Sequence, residues 1–325
     1  MKSLFRSYEF LLFCLLILVS ILIGLVNPAF FSIGTLFDVF RIQTINLMLA
    51  LGLLSVIILG GVDISFVAIA ALSSFPVHMF LFNRGYEGGI WLYYLLAVIV
   101  GGLTGTFVAF LLTRFKLGIF DLSLGVNTML YGFITFFVGS MDNPNLPDGM
   151  IGWNKKYVIT VQNAAIGESG LHISFVYIIV IGILLHLFLK HTTLGRGIYA
   201  VGSSKTVAVR TGFDVNKIYF FVFPLMGMLS GVAGVTISTF LGLFSPITLL
   251  GKNMQVLAGV VLGGASITGG KGSVIGTFLG VLLIGLVNQA MVYLGIDTQW
   301  FDAAIGTIFI IYATFQVVSS RATAK

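Results

Sequence analysis

The chain has 325 residues, of which 58% are hydrophobic and 9% charged, with a mean hydropathy of +1.08 and a net charge of +6. No water-soluble domain of this length has that composition, which is that of a polytopic helical membrane protein. The single cysteine, Cys14, excludes a disulfide framework and a Cys-based metal site, and His78, His172, His186 and His191 are scattered without ligand spacing. The basic surplus is no nucleic-acid signal, because it sits in loops flanking apolar segments.

Lys2 and Arg6 precede an apolar run from Phe10 to Val26. No small-residue cleavage site stands before Asn27-Pro28, so the run reads as an uncleaved first helix. Hydropathy then predicts ten spans: 10–26, 43–60, 65–82, 91–113, 119–140, 172–190, 218–241, 253–269, 274–294 and 301–318. The stretch 43–82 is almost continuous, broken only at Gly60-Gly61-Val62-Asp63. Membrane helices break in this way where the backbone faces protein or a cavity. Residues 58–65, ILGGVDIS, are echoed by 261–268, VLGGASIT. With the N-terminus inside, 12 of the 17 lysines and arginines fall on the inner side and 5 on the outer, which predicts N-in and C-in.

One outer loop is long, 141–171. It is too short for a domain, and it reads as a connector, a short surface helix or a contact for an outside partner. The inner loop 191–217 is the longest strongly basic interruption of the chain. Ser203 is predicted to cap about two helical turns over 204–211, with Gly212 as the left-handed terminal residue. A helix that short is marginal in water and needs something to dock on. The alternative is a solvated basic loop.

Residues 259–280, GVVLGGASITGGKGSVIGTFLG, fail as a phosphate loop: Gly264 and Gly269 are correctly separated, but Gly270 rather than lysine follows. No ATP hydrolysis is expected from this chain. Gly272, Gly276 and Gly280 recur every four residues, predicting a helix face for close backbone packing, as do Gly227 and Gly231. Asp63, Asp121 and Asp302 all fall at predicted span ends, where water or a helix N-terminus can hold them. No acidic pair lies deep in one span, which disfavours a proton- or sodium-driven carrier. The polar residues within spans are mostly uncharged: Gln43, Asn46, Asn127, Thr128, Asn288 and Gln289. Amides suit a neutral, hydroxyl-rich solute or, equally, hydrogen bonding between helices.

Three stretches together resemble the permease subunits of bacterial ATP-binding-cassette (ABC) importers, in the ribose and simple-sugar branch, which is related to branched-chain amino acid permeases. Gly60-Gly61-Val62-Asp63-Ile64-Ser65 is similar to that branch's Gly-Gly-(Ile/Val)-Asp-(Leu/Ile)-Ser element. Residues 195–215 resemble its ATPase-facing loop, and 261–277 its late glycine-rich signature. Two places depart. Ser204–Val209 replaces the usual Asn-Pro-Glu-Ala-Ala-Arg, and Phe120–Gly125 replaces Pro-Phe-Ile-Val-Thr-Leu-Gly, as in a diverged subfamily or one half of a heterodimer.

The resemblance implies an all-α membrane protein of about ten helices. One permease domain would cover 1–325, with broken helices near Gly60–Asp63 and a cytoplasmic coupling helix. It implies an inner-membrane transport subunit without catalytic residues, metal or cofactor, ATP and magnesium being bound by a separate ATPase. An extracytoplasmic sugar-binding protein and a second permease copy or paralogue complete the expected partners. The expected coupling residues are Ser203, Lys205, Val207, Arg210 and Gly212. The expected path residues are Asn46, Asp63, Asn127, Thr128 and Asn288, for a pentose or hexose. Other classes are a permease for a branched-chain amino acid or nucleoside, an ion-coupled carrier, and a membrane assembly protein.

Overall fold

The computed structural model describes residues 8–163 and 167–323. Among these, twelve α-helices carry the fold. They are α1 (Tyr8–Val26), α2 (Ile33–Ile58), α3 (Phe66–Phe82), α4 (Ile90–Phe115), α5 (Ile119–Phe133) and α6 (Ile173–His191). The others are α7 (Thr193–Ser203), α8 (Lys205–Arg210), α9 (Val215–Leu241), α10 (Lys252–Leu262), α11 (Val274–Tyr293) and α12 (Phe301–Thr323). Seven described helices are long and apolar enough to cross a membrane: α1, α2, α4, α5 with its π-helical continuation to Val138, α6, α9 and α11. The other three predicted spans fall on α3 with 17 residues, α10 with 11, and α12, whose apolar stretch is Phe301–Ile311.

The expected span 253–269 ends early, at Leu262. At about 1.5 Å per residue α10 reaches roughly half the hydrocarbon thickness. Gly264 stops it: its φ is +88°, and its N–H donates to the Val261 carbonyl at 2.8 Å. Gly60 ends α2 in the same way, with φ +86° and its N–H on the Ile57 carbonyl at 2.9 Å. Both copies of the echo between 58–65 and 261–268 therefore hold a glycine helix stop, but one residue out of step: Gly60 aligns with Gly263, whereas the second stop is Gly264. Only glycine takes this left-handed backbone without a Cβ penalty.

The long loop 141–171 is more than a plain connector and carries two short 3-10 turns, Asp148–Met150 and Trp153–Lys155. It forms an antiparallel hairpin, β1 (Tyr157–Asn163) with β2 (Gly167–His172), in which Thr160 faces Gly170 and Val161 faces Ser169. The run Val158-Ile159-Thr160-Val161 is β-branched throughout, which favours strand over helix. Ser169 ties the hairpin to α2, its Oγ lying 3.1 Å from both the Gly34 carbonyl and Asp38 Oδ1. His172 then starts α6 by accepting the Ser174 N–H at 3.1 Å.

The core is built on α9, which Asp214 starts by accepting the N–H groups of Asn216 and Lys217. Small residues let other helices approach its backbone. A Cβ at Gly227 would overlap the Gly101 carbonyl on α4, one at Gly231 the Ala97 carbonyl, and one at Gly234 the Ala70 carbonyl on α3. Such contacts supply dispersion and close packing where lipid removes the hydrophobic drive between helices. The same device joins α11 to α10: a Cβ at Gly276 would overlap the Gly263 carbonyl, and one at Gly280 the Gly259 carbonyl. Gly272 departs from the expected helix face. It precedes the N-cap Ser273 and lies against Ile58 and Leu54 of α2.

Candidate functional site

The helix after the α7–α8 turn is capped by Ser204, not by Ser203 as expected. Ser204 Oγ accepts the Val207 N–H at 3.4 Å. Ser203 is the last residue of α7, and its hydroxyl is turned back onto the Tyr199 carbonyl at 2.9 Å. The far end of α8 follows the expectation. Gly212 has φ +89°, its N–H donates to Val209 (3.1 Å), and the Phe213 N–H donates to Ala208 (3.0 Å). These two bonds make a Schellman ending. Only Ala208 of α8 is buried, whereas Val207 and Val209 are 57% and 59% exposed and Lys205 and Arg210 stand in solvent. Apolar side chains held outward on a capped turn outside the apolar spans form a small docking face.

Behind α8 the three stretches that carried the family resemblance meet. The Gly270 N–H donates to the Ile58 carbonyl at 2.9 Å, joining the late glycine-rich loop to the end of α2. Gly202, at the end of α7, sits over the same carbonyl so closely that a Cβ would overlap it. A Cβ at Gly269 would lie 2.6 Å from both the Gly202 carbonyl oxygen and the Gly60 Cα. Tyr199 adds a hydrogen bond from its hydroxyl to the Gly272 carbonyl at 2.9 Å. Backbone on backbone leaves no flexible side chain to absorb movement, so α7, the α2 stop and the 263–273 loop shift together or separate.

Residues past that junction lead into a buried polar cluster. Asp63 is fully buried, so of the two expected settings it takes the helix N-terminus, just ahead of α3, and not water. Its Oδ1 accepts the Ser65 backbone N–H and the Ser65 hydroxyl, the latter at 2.7 Å. The Ile64 N–H donates to Ser123 Oγ of α5 (3.2 Å), and Asn253 Nδ2 of α10 donates to the Ile64 carbonyl (3.2 Å). Asn127 lies four residues along α5 from Ser123, on the same face. The buried oxygens Asp63 Oδ2, Asn127 Oδ1 and Asn253 Oδ1 have no hydrogen-bond partner among the described residues.

The other expected path residues lie apart from this cluster. Asn46 is buried on α2, its Nδ2 on Gln43 Oε1 at 2.8 Å and its Oδ1 without a partner among the described residues. Gln43 packs over Gly285 of α11, and Asn288 is half-buried three residues further on. Thr128 is exposed and donates to the Leu124 carbonyl at 3.1 Å. Ser65, Ser123 and Asn253 were not among the expected residues. Asn253 carries a faint signal, an amide opening a short glycine-stopped helix.

A family model described as the permease component of branched-chain amino acid transport systems matches residues 35–313. The chain belongs to this permease family. Its similarity extends to the ribose import permease protein RbsC of Haemophilus influenzae, 29% identical over 89% of this chain and 86% of the relative. The Bacillus subtilis ribose import permease protein RbsC is 30% identical over 92% of this chain and 88% of its own length. An Enterobacter autoinducer 2 import system permease protein, LsrC, is 29% identical over 95% of this chain and 87% of its own. No solved structure matches it significantly. The chain is thus a multi-pass membrane permease subunit, a class that is not itself catalytic.

Proposed function

We propose that this permease forms the path of an ATP-driven bacterial importer for a neutral simple sugar, in the cytoplasmic membrane with both termini inside. The sugar reading rests on the ribose relatives and on chemistry. The oxygens of Asn46, Asp63, Asn127 and Asn253 that have no hydrogen-bond partner among the described residues are acceptors, and a sugar brings hydroxyl donors to them. Asn288 and the exposed Thr128 extend the set of path residues.

The observation that carries the mechanism is the backbone junction of Gly60, Gly202 and Gly269–Gly270 behind α8. A separate ATPase subunit, holding ATP and magnesium, engages Val207, Val209, Lys205 and Arg210. Its closure pulls α7–α8. The junction passes that displacement to the α2 stop and the 263–273 loop, and so to Asp63, three residues after Gly60, and Asn253, ten residues before the loop. A second permease copy or paralogue supplies the other wall of the path. An extracytoplasmic binding protein delivers the solute at the hairpin side.

The test is uptake of a labelled panel, with ribose, hexoses and leucine, into proteoliposomes holding the complete complex. ATP-dependent accumulation of a sugar is the expected result. The family model's description favours a second reading, leucine-like transport, and accumulation of leucine alone would select it. Uptake that needs an ion gradient but no ATP would overturn both readings.

A further inference from the structure

We propose that the groove between α6 and α11 is a binding site for one anionic phospholipid of the leaflet on the α8 side. Two cavities run into each other there. The first, about 610 Å³, opens where α6 meets α7 and is lined by Lys190, Arg196, Tyr199, Glu9 and Ser273. The second, about 460 Å³, continues along α6 and α11 between Phe175, Ile179, Ile183, Phe278 and Leu279. They share His186, Val274 and Ile275, so one ligand can occupy both.

The two halves differ in chemistry as the two halves of a lipid do. Apart from His186, every side chain of the second cavity is apolar. From Phe175 to His186 is eleven residues of helix, about 16 Å, which matches the hydrocarbon depth of about 15 Å in one leaflet. The first cavity carries two cations, Lys190 and Arg196. The only ion pair among the described residues is Lys217 with Asp214, so neither cation is neutralised within 4 Å by a described carboxylate. Glu9 is the one acid on the rim, and it accepts a hydrogen bond from the Ser273 hydroxyl. The rim therefore keeps a positive balance. A phosphate diester placed there accepts from Lys190 Nζ and the Arg196 guanidinium. A glycerol headgroup brings hydroxyl donors to Glu9.

Ordinary covering lipid follows apolar area and is indifferent to headgroup. Cations at the mouth of a leaflet-length slot select for anionic lipid instead. Apart from Tyr199, which also bonds to the junction, the site uses none of the residues assigned to coupling or to the path, and its test does not involve transport.

The test is native mass spectrometry of the full chain in mild detergent. Phosphatidylglycerol, phosphatidylethanolamine and phosphatidylcholine are titrated separately. Wild type is expected to retain one phosphatidylglycerol in preference to the other two, a ranking that needs no variant. Lys190→Ala with Arg196→Ala should lower that retention roughly tenfold or more. Ile183→Trp, at an exposed position, should fill the slot and lower retention with both charges intact. Equal retention of the three lipids, or retention unchanged by the variants, would overturn the site. So would efficient disulfide formation between two Ile183→Cys chains in membranes, which would give the groove to a second copy.

Discussion

Gly202 and Gly212 stand ten residues apart in the segment between α6 and α9, and each is glycine for a different reason. Gly202 has an ordinary backbone and no room: a Cβ would overlap the Ile58 carbonyl oxygen and lie 2.7 Å from the Gly270 nitrogen. Gly212 has all the room it needs, with nothing within 4 Å of a Cβ, but its φ is +89°. The first belongs to a junction with no slack, the second to a capped turn standing in solvent. A part that receives force must be reachable, and a part that transmits it must be stiff. Ser204 separates the two.

The largest effect should come from removing the stiffness. Gly202→Val is expected to cost about 3 kcal/mol or more, as overpacking against backbone does at its upper end. Loss of the monodisperse peak in fluorescence-detected size exclusion is the readout. Gly276→Leu, against the Gly263 carbonyl, should behave alike, and a stable, active variant would show that these glycines are not packed.

Changes at the reachable part should spare the fold and uncouple the machine. Val207→Asp should move the thermal midpoint by no more than about 0.5 kcal/mol in stability terms, because the side chain is exposed. Solute-stimulated ATP hydrolysis by the assembled complex should fall tenfold or more if Val207 anchors the contact. Gly212→Val should strain the helix ending by about 1–2 kcal/mol and reduce stimulation with the membrane core intact. Full stimulation in either variant would separate α8 from coupling.

A smaller effect is expected in the polar cluster. Asn127→Leu removes an amide whose buried oxygen has no partner among the described residues, so stability should hold while sugar uptake slows about three- to tenfold. Unchanged uptake would remove Asn127 from the path.

The smallest effect concerns pH at the hairpin. His172 is buried, and burial, assisted by the nearby Arg41 charge, holds its imidazole below the usual 6.5 against the opposing bond to Trp153. The folded state therefore keeps it neutral while the unfolded chain takes up a proton. Its contribution is complete above pH 6.5 and is lost as pH falls from there toward the folded value. The thermal midpoint should drop on acidification in wild type, and the drop should be smaller in His172→Asn.

What was legible in the sequence divides along the same line. The end of α8 was readable because a left-handed glycine after a short helical run is a local signal, and Gly212 behaves as such a signal predicts. The start was misread by one residue. Ser203 and Ser204 can both cap, and the choice is made by Ser203 turning back to Tyr199. The hairpin is not read from the sequence although Val158–Val161 carries strand propensity, because a loop between apolar helical spans is read by its class. The meeting of Ile64 with Asn253, 189 residues apart, has no local signature at all. Nor does the meeting of Gly60, Gly202 and Gly269: the break at Gly60 is visible alone, but the stacking of the three is a property of the fold.

If α8 is the face that receives the ATPase, Val207 lies within crosslinking reach of that subunit. A photo-crosslinking residue at position 207, in cells expressing the whole transport system, tests it most directly, with position 151 at the hairpin side as control. Both side chains are exposed, at 57% and 66%. An adduct between position 207 and the ATPase subunit is expected, and none from position 151. No ATPase adduct from position 207, or equal yields from both positions, would contradict it.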